Sequence, residues 1–400
     1  MQRTSHRSQQ FKESVIREMT RVARSVGAVN LSQGLPDLPA PDEIKEAAIA
    51  AIRADINQYA ITWGSPNLRN ALAAHYAKRY DMQVDPEKNI VVCCGATECM
   101  IATLLAICDP GDEVIIFEPY YENYGPDSWL SGATPRFVSM RPTPERDPAT
   151  GEQRLAWAAD LDQLRAAFNV RTKAIIVNTP HNPTGHVFTR DELQLIADLC
   201  IQHDVIAVTD EIYEFIIYGA HVHNVLATFP GMAGRTVTIS GMSKTFSVTG
   251  WRLGYCIAPD DITNAIRKVH DFLTVGAPAP LQEAAAVALG LPDSYYTGLK
   301  RMYTGKRDYL LDVLTEAGFD PIVPDGAYYI MANIAPLKRP GEDGTDFAMR
   351  LAREGGVATV PGTTFYWNPV DGDNFTRLAF CKQDATLRAG AEKLLKFGNL

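Results

Sequence analysis

The chain has 400 residues, of which 46% are apolar and 21% are charged, enough for a large core and more than one domain. Its formal net charge of -9 argues against non-specific nucleic-acid binding, because the protein would repel phosphate. No run of eighteen apolar residues predicts a transmembrane helix, and the polar start "MQRTSHRSQQFKES" lacks the apolar core of a secretion signal, so we expect a cytoplasmic protein without a membrane partner.

The seven cysteines are scattered along the sequence, and none forms a Cys-x-x-Cys pair. Such pairs are typical of zinc sites and of thioredoxin-like redox sites. We therefore expect reduced cysteines in the core and no bound metal.

The residues before position 41 show little periodicity, and residues 41–55 then predict an amphipathic helix with Pro41 near its start. Short apolar strands alternate with helical segments through the middle of the chain. The predicted strands are 89–94, 113–117, 173–177, 205–209, 236–239 and 253–257. The predicted helices between them include 97–108 and 189–203. This alternation favours an α/β fold with a mainly parallel sheet that helices cover on both faces.

The pattern becomes helical after residue 258, and residues 293–318 predict one long helix. Strands follow at 326–334, 357–360 and 375–381, which is typical of a smaller α+β domain. We expect three parts: an N-terminal arm with part of the small domain at 1–40, a large domain at 41–292 and a small C-terminal domain at 293–400.

Polar groups follow the predicted strands, at the edge where ligands bind in open α/β sheets. Residues 95–97 begin a helix, and backbone N–H groups at a helix start suit a phosphate. The other strands are followed by Asn182, by Asp210 and Tyr213, and by Lys244. Each feature alone has an ordinary explanation as a turn, a cap or a solvated lysine. Their convergence on one edge of the sheet favours a ligand site instead.

Lys244 lies in the largely apolar stretch "SGMSKTFSVTGWRLGY", which also contains Arg252. A buried ammonium is costly unless it is paired or deprotonated, so this lysine indicates chemistry. The sequence has no G-x-G-x-x-G motif for a dinucleotide, and "GMSKT" lacks the final glycine of a serine-hydrolase elbow.

These motifs together resemble the pyridoxal-phosphate-dependent aminotransferases of fold type I, class I. The stretch around Lys244 matches the family's lysine signature, and "NQYAITWGSPNLRNALA", "NTPHNPTG", "DEIY" and "FTRLAFCK" match its other motifs in order. The resemblance extends from "LSQGLPDLPAP" to the C-terminus. It implies a large domain with a mainly parallel seven-stranded sheet between helices, a smaller α+β domain, pyridoxal 5'-phosphate as cofactor, and amino-acid and 2-oxo-acid substrates.

The resemblance assigns catalytic roles to Lys244, Asp210 and Tyr213. Lys244 would form a Schiff base with the cofactor aldehyde and, once displaced, would carry a proton between substrate and cofactor. Asp210 would pair with the pyridinium nitrogen and keep it protonated, so that the ring can accept electrons. Tyr213 and Asn182 would hydrogen-bond the ring hydroxyl oxygen, and Tyr121 would stack on the ring.

The phosphate of the cofactor would be held by the start of a helix and by one arginine: Gly95, Ala96, Thr97 and Arg252. Many relatives carry a further phosphate-binding serine three residues before the lysine, where this chain has Gly241. Ser243 or Ser240 would substitute for it, and we expect Ser243.

Family members are usually homodimers, and Tyr59 would reach the phosphate in the partner subunit. Arg377 would bind the substrate α-carboxylate through two parallel hydrogen bonds, with Asn182 assisting and Gly34 lining the pocket. Residues 61–63 read Ile-Thr-Trp, whereas many relatives have two prolines after this tyrosine. That segment borders the substrate pocket in the family, so the side-chain specificity stays open.

The segments "PDGAYYIMANI" and "RLAFCKQDATLRAGAEKL" are similar to those of the kynurenine, glutamine and methionine aminotransferase group. We therefore expect an aminotransferase that acts on an aromatic, kynurenine-, methionine- or glutamine-like L-amino acid. A carbon–sulfur β-lyase and, more distantly, an aminocyclopropane-carboxylate synthase-like enzyme would use the same cofactor residues. A non-catalytic binding protein of this fold is a further alternative, against which the intact lysine, aspartate, tyrosine and two arginines argue.

Overall fold

The computed structural model describes residues 3–5, 7–11, 13–146 and 151–398. Within these ranges, no helix has both the length and the apolar character needed to cross a membrane. The helices of this part are α1 (Val15–Val26), α2 (Asp42–Arg53), α3 (Pro66–Tyr80), α4 (Ala96–Ile107), α5 (Tyr124–Ser131), α6 (Leu161–Ala167), α7 (Arg190–His203), α8 (Asp260–Leu273), α9 (Ala279–Leu289), α10 (Asp293–Glu316), α11 (Gly344–Arg353) and α12 (Asp384–Gly398).

The strands of the same part are β1 (Val29–Asn30), β2 (Ile90–Cys93), β3 (Glu113–Glu118), β4 (Thr134–Arg146), β5 (Gln153–Ala159), β6 (Thr172–Asn178), β7 (Ile206–Asp210), β8 (Thr236–Gly241), β9 (Gly254–Ile257), β10 (Asp320–Pro321), β11 (Tyr329–Asn333), β12 (Val357–Ala358), β13 (Val360–Pro361) and β14 (Phe375–Ala379).

A sheet of eight strands forms the centre of the described chain, in the order β2-β9-β8-β7-β6-β3-β4-β5. Strands β8, β7, β6, β3 and β4 run parallel, whereas β2, β9 and β5 pair antiparallel with their neighbours. The prediction of a mainly parallel sheet is confirmed, and the seven strands from β2 to β4 are joined by an eighth strand, β5, at the edge. Strand β4 continues past its pairing with β3 and forms an antiparallel ladder with β5 there.

Alternate side chains of the central strands enter two separate apolar cores. Ile115 and Phe117 of β3 pack with side chains of α6 and α7, whereas Val114 and Ile116 pack with side chains of α4 and α8. Burial on both faces explains why these strands are continuous apolar runs in the sequence. The carboxyl ends of β6, β7 and β8 therefore carry the polar groups of this region.

The chain after α10 forms a four-stranded antiparallel sheet in the order β10-β11-β14-β13. Helix α10 has 24 residues, which fits the predicted long helix at 293–318. Strand β1 pairs in parallel with β12, so the N-terminal segment lies against the C-terminal part of the chain. The proposed domain boundaries at residues 40 and 292 agree with this pairing and stay a prediction.

Helix α1 lies in the segment before residue 41, where the sequence shows little periodicity. The Ser14 side chain accepts a hydrogen bond from a backbone N–H of the first turn, and Gly27 ends the helix with a left-handed φ of 67°. Ile16, Met19 and Ala23 are buried at the spacing of one helix face. Charged residues interrupt this short apolar stripe, and they conceal its periodicity in the sequence.

Candidate active site

A cavity of about 340 Å³ lies at the carboxyl ends of β6, β7 and β8. Eleven of the predicted site residues line it: Gly34, Ala96, Thr97, Tyr121, Asn182, Asp210, Tyr213, Ser243, Lys244, Arg252 and Arg377. The N-terminal helix contributes Ser14, Ile16 and Arg17, which were not predicted. The structure thus brings together residues that are separated by more than three hundred positions in the sequence.

Lys244 follows β8 and reaches into the cavity without a carboxylate partner among the described residues. Its Nζ donates a hydrogen bond to the carbonyl oxygen of Gly34 at 3.2 Å, and it lies 5.8 Å from the ring centroids of Tyr213 and Tyr328. Burial lowers the pKa of Lys244 to about 8. About a tenth of the amine is therefore uncharged at pH 7 and can act as a nucleophile, far more than for an ordinary lysine.

Asp210 ends β7 and is buried, with its carboxylate turned toward α5. Oδ2 accepts a hydrogen bond from the Tyr124 hydroxyl at 2.7 Å, and Oδ1 accepts one from Ile212 N at 3.3 Å. Burial raises the pKa of Asp210 to about 6, although both hydrogen bonds favour the ionised form. A cationic partner in the cavity would stabilise this carboxylate further.

Asn178 connects Asp210 to Asn182 through hydrogen bonds. Its Nδ2 donates to the backbone oxygen of Asp210 at 2.8 Å, and its Oδ1 accepts from Asn182 N at 2.7 Å. Asn178 and Asp210 are direct neighbours in the register of β6 and β7. This contact fixes the loop after β6, and with it the position of the Asn182 side chain.

Arg377 of β14 is 1% exposed and approaches the cavity from the C-terminal sheet. Nη1 donates to Asn182 Oδ1 at 2.8 Å, and Nη2 donates to the carbonyl oxygen of Ser32 at 3.0 Å. The guanidinium lies 4.2 Å from the ring centroid of Tyr329 and 4.7 Å from that of Phe365. It forms no ion pair within the described chain, so its charge is available to an anionic ligand.

Tyr213 and Tyr329 form one wall of the cavity. Their hydroxyl groups lie 3.0 Å apart and share a hydrogen bond, and burial raises the pKa of Tyr213. A Cβ atom at position 34 would overlap the Tyr329 hydroxyl. Gly34 is therefore required sterically by the tyrosine that contacts Arg377.

The opposite end of the cavity is the start of α4, where Gly95 is the N-cap residue with a φ of 88°. Arg252 donates hydrogen bonds to the carbonyl oxygens of Thr249 and Cys94, at 3.0 and 3.4 Å. Among the described residues no carboxylate pairs with Arg252. The positive end of the helix and this guanidinium have the charge and the donors that suit a phosphate.

The two candidate serines have different surroundings. Ser240 Oγ donates a hydrogen bond to Glu214 Oε1 at 2.9 Å, whereas Ser243 lines the cavity. This geometry favours Ser243 as the phosphate ligand.

Tyr59 is the predicted site residue that the single chain does not bring to this cavity. Its side chain is 85% exposed and lies in a separate surface depression beside Ile56 and Pro66. Its predicted contact with a partner subunit stays a prediction.

Sequence reasoning missed Tyr124, Asn178 and Tyr329, which hold predicted residues in position. All three lie in or near the motifs named above. Asn178 begins "NTPHNPTG", Tyr124 follows Tyr121 by three positions, and Tyr329 lies in "PDGAYYIMANI". No spacing rule gives the direction of these side chains.

The residues of this cavity fit pyridoxal phosphate. The buried carboxylate of Asp210 suits a protonated ring nitrogen, the amine of Lys244 suits an aldehyde, and the start of α4 with Arg252 suits a phosphate. The fold and the cavity therefore define a pyridoxal-phosphate-dependent enzyme built on a mainly parallel sheet.

Residues 26–394 match the family "Aminotransferase class I and II". The chain is 36% identical to a kynurenine–oxoglutarate transaminase of Dictyostelium discoideum, over 98% of this chain and 96% of the relative. Among solved structures it is similar to N-succinyldiaminopimelate aminotransferase from Mycobacterium tuberculosis, with a TM-score of 0.93, 36% identity and coverage of 98% and 100% of the two chains. Escherichia coli YbdL, for which a methionine aminotransferase function is described, gives a TM-score of 0.91, 31% identity and coverage of 99% and 100%.

The chain belongs to the class I and II aminotransferase family. It is an aminotransferase with pyridoxal phosphate as its cofactor. These relatives favour transamination over the carbon–sulfur lyase reaction and over a non-catalytic role.

Proposed function

We propose that this enzyme transfers the amino group of an aromatic, kynurenine-, methionine- or glutamine-like L-amino acid to a 2-oxo acid. The observation that carries the proposal is the buried guanidinium of Arg377, which has no carboxylate partner among the described residues and lies on the cavity that also contains Lys244. A planar guanidinium fits the α-carboxylate that all these substrates share. The activities for which these relatives are named, on kynurenine, N-succinyldiaminopimelate and methionine, support a substrate with an extended side chain.

Pyridoxal phosphate, when bound, supplies an aldehyde for the substrate amine and a ring that accepts the electrons of the Cα–H bond. The Nζ of Lys244 would hold the aldehyde, and its free amine would take the proton from the substrate Cα as a general base. Its pKa of about 8 makes the free amine available near neutral pH. Asp210 keeps the proton on the ring nitrogen, because its buried carboxylate favours a cationic neighbour.

Asn182 is oriented by Arg377 for a second hydrogen bond. Its Oδ1 accepts from Arg377 Nη1, so its Nδ2 is directed away from the guanidinium and is free to donate to the ring hydroxyl oxygen. Tyr213 donates to the same oxygen, with Tyr329 holding its hydroxyl in place. Arg377 thereby both binds the carboxylate and positions the amide.

A donor-by-acceptor screen on the purified, cofactor-loaded enzyme tests this proposal. We expect kynurenine, phenylalanine, methionine or glutamine to give product only when a 2-oxo acid is present. Release of ammonia and a thiol from a sulfur-containing donor without an acceptor would identify the lyase instead. Turnover confined to aspartate would contradict the proposed substrate class.

A homodimer is the assembly that we propose. Tyr59 and Phe272 are 85% and 91% exposed, and their segments adjoin, because Thr62 Oγ1 donates a hydrogen bond to Asp271 Oδ1 at 3.3 Å. Covering these side chains with a second copy of the chain would remove apolar surface from water. In such a dimer Tyr59 reaches the phosphate site of the partner.

Mixing two defective variants tests the crossing of Tyr59. A dimer of one Lys244→Ala chain and one Tyr59→Ala chain contains one site with both an intact Lys244 and the partner's Tyr59. Random exchange should therefore restore about a quarter of the wild-type sites at limiting cofactor. Absence of recovery, with mixed dimers verified by sedimentation and mass spectrometry, would show that Tyr59 serves its own subunit or neither.

We also propose a cytoplasmic location. All seven cysteines are free thiols in the structure, which supports a reducing compartment. Cell fractionation with an antibody to the native protein should find it with cytosolic markers, and its recovery with exported or membrane markers would contradict the proposal.

A further inference from the structure

Three buried cysteines from three different elements meet beside the turn formed by residues 95–97. Cys93 ends β2, Cys99 lies near the start of α4, and Cys256 lies in β9. All three are fully buried, and their Sγ atoms lie within 4.8 Å of one another. We propose that this thiol triad, Cys93, Cys99 and Cys256, binds one zinc ion through three thiolates.

The sheet register and one glycine explain why these thiols meet. Cys93 is opposite Gly254 and Cys256 is opposite Val91 in the antiparallel pair of β2 and β9, so the two cysteines are diagonal neighbours on one face. A Cβ atom at position 254 would overlap the backbone of Gly95 and Ala96. The glycine therefore allows α4 to approach closely, and this approach brings Cys99 to the other two thiols.

Cys256 is the member of the triad that also contacts a hydroxyl and a backbone carbonyl. Its Sγ lies 3.8 Å from Thr103 Oγ1 and 3.9 Å from the carbonyl oxygen of Cys99. Zinc binds the thiolate form of cysteine, so Cys256 would lose its proton, and with it the contact to the Cys99 carbonyl oxygen, when the ion binds.

The spacing of the triad is suitable for zinc. Thiolates that bind one zinc ion at about 2.3 Å in a tetrahedron lie about 3.8 Å apart. The distances between the Sγ atoms are up to 4.8 Å. They shorten to the value for zinc when the side chains move by about 1 Å. Binding exchanges three thiol protons for one divalent ion, so three protons are released and the site acquires one negative charge.

Glu98 and His270 also lie close to Cys93, but their polar atoms are already paired. Glu98 Oε1 accepts from Thr274 Oγ1 at 2.6 Å and lies 2.8 Å from His270 Nδ1, while His270 Nε2 lies 3.0 Å from the carbonyl oxygen of Thr62. These bonds leave the three sulfur atoms as the ligand set. The sequence predicted no metal because it has no Cys-x-x-Cys pair, whereas the fold assembles the ligands from distant positions.

Zinc stoichiometry of the cofactor-loaded enzyme tests the proposal. After chelator treatment and equilibrium dialysis against zinc chloride, we expect about one zinc ion per chain in the wild type. The variants Cys93→Ser and Cys256→Ser should lose at least about nine-tenths of this zinc. Cys200→Ser is the matched control, because Cys200 is equally buried but belongs to the other core, and it should retain the zinc. Absence of zinc from the wild type, or equal zinc in Cys256→Ser, would overturn the proposal.

A second measurement on the wild type keeps the proposal testable if the serine variants unfold. Titration with Cd²⁺ should produce ultraviolet thiolate-to-metal absorbance that saturates at about one ion per chain, with about three protons released per ion in weak buffer. The visible absorbance of the bound cofactor checks that the enzyme stays folded. Metal uptake without thiolate absorbance or without proton release would exclude the triad as the site.

Discussion

Tyr124 donates a hydrogen bond of 2.7 Å to the buried carboxylate of Asp210. Because this bond favours the ionised carboxylate, it opposes the effect of burial, which raises the pKa of Asp210. The proposed ring-nitrogen contact needs an ionised Asp210. Tyr124 is thus a positioning residue, although the sequence did not identify it.

We expect Tyr124→Phe to lower kcat/KM about 10-fold at pH 7, because a hydrogen bond to a charged group contributes about 1.5–3 kcal/mol. The acid limb of the kcat/KM profile should move to higher pH, since Asp210 loses a donor that favours its ionised form. Steady-state kinetics across the pH range measure both effects.

Tyr303→Phe is the matched control for that substitution. Tyr303 is fully buried, its hydroxyl has no partner among the described residues, and it does not line the cavity. Its loss should leave the pH profile unchanged. Equal profiles for Tyr124→Phe and the wild type would refute the positioning role.

At neutral pH, Asp210→Asn should stabilise the cofactor-free protein. The same substitution should abolish most of the activity of the cofactor-loaded enzyme. Burial raises the pKa of Asp210 from 3.8 to about 6, so the folded state binds its proton more tightly than the unfolded chain does. The wild type consequently loses stability as pH rises through this window, by about 3 kcal/mol in total. Asparagine carries no such charge at any pH.

Denaturant unfolding of the two cofactor-free proteins at pH 4 and pH 7 measures this difference. We expect a gain in the free energy of unfolding of about 1–3 kcal/mol for Asp210→Asn at pH 7 and less than about 1 kcal/mol at pH 4. A variant that is no more stable than the wild type at pH 7 would show that the folded site already stabilises the charge.

Several of the cavity residues that the sequence identified follow strands. Asn182, Asp210 and Lys244 come after β6, β7 and β8, and neighbouring parallel strands carry such residues to the same edge of the sheet. Lys244 indicates a functional site because burying an unpaired ammonium in an apolar stretch costs free energy. These inferences need only the order of strands and the chemistry of the residues.

The contacts that the sequence did not predict depend on packing between distant elements. Tyr124 reaches Asp210 only because α5 folds back over the carboxyl end of β7, and Tyr329 reaches Tyr213 from the C-terminal sheet. The thiol triad likewise requires β2, β9 and α4 to meet. Periodicity describes single elements, so it gives neither these directions nor the edge strand β5.

Ser243→Ala should weaken binding of pyridoxal phosphate about 5- to 10-fold, since a hydrogen bond contributes about 1 kcal/mol. Ser240→Ala provides the comparison, because Ser240 donates to the buried Glu214 instead. It should reduce thermal stability and leave the cofactor affinity unchanged. A larger loss of affinity in Ser240→Ala, measured by titration of the cofactor-free protein, would reverse the assignment.

Arg377→Ala should lower kcat/KM about 100-fold for every amino donor, because a buried charge pair contributes about 2–5 kcal/mol. Arg377→Lys should restore little, since an ammonium lacks the planar fork that binds a carboxylate through two parallel bonds. Cofactor content should stay at the wild-type value in both variants. If the KM of Arg377→Ala for the amino donors equalled that of the wild type, Arg377 would be excluded as the carboxylate ligand.

Borohydride reduction of the cofactor-loaded enzyme, followed by peptide mass mapping, tests the central role of Lys244 most directly. We expect one pyridoxyl adduct per chain, on the peptide that contains Lys244, and no adduct at any lysine of Lys244→Ala. An adduct on a different lysine, or none on a wild-type protein that is saturated with cofactor, would contradict the proposed role of this residue.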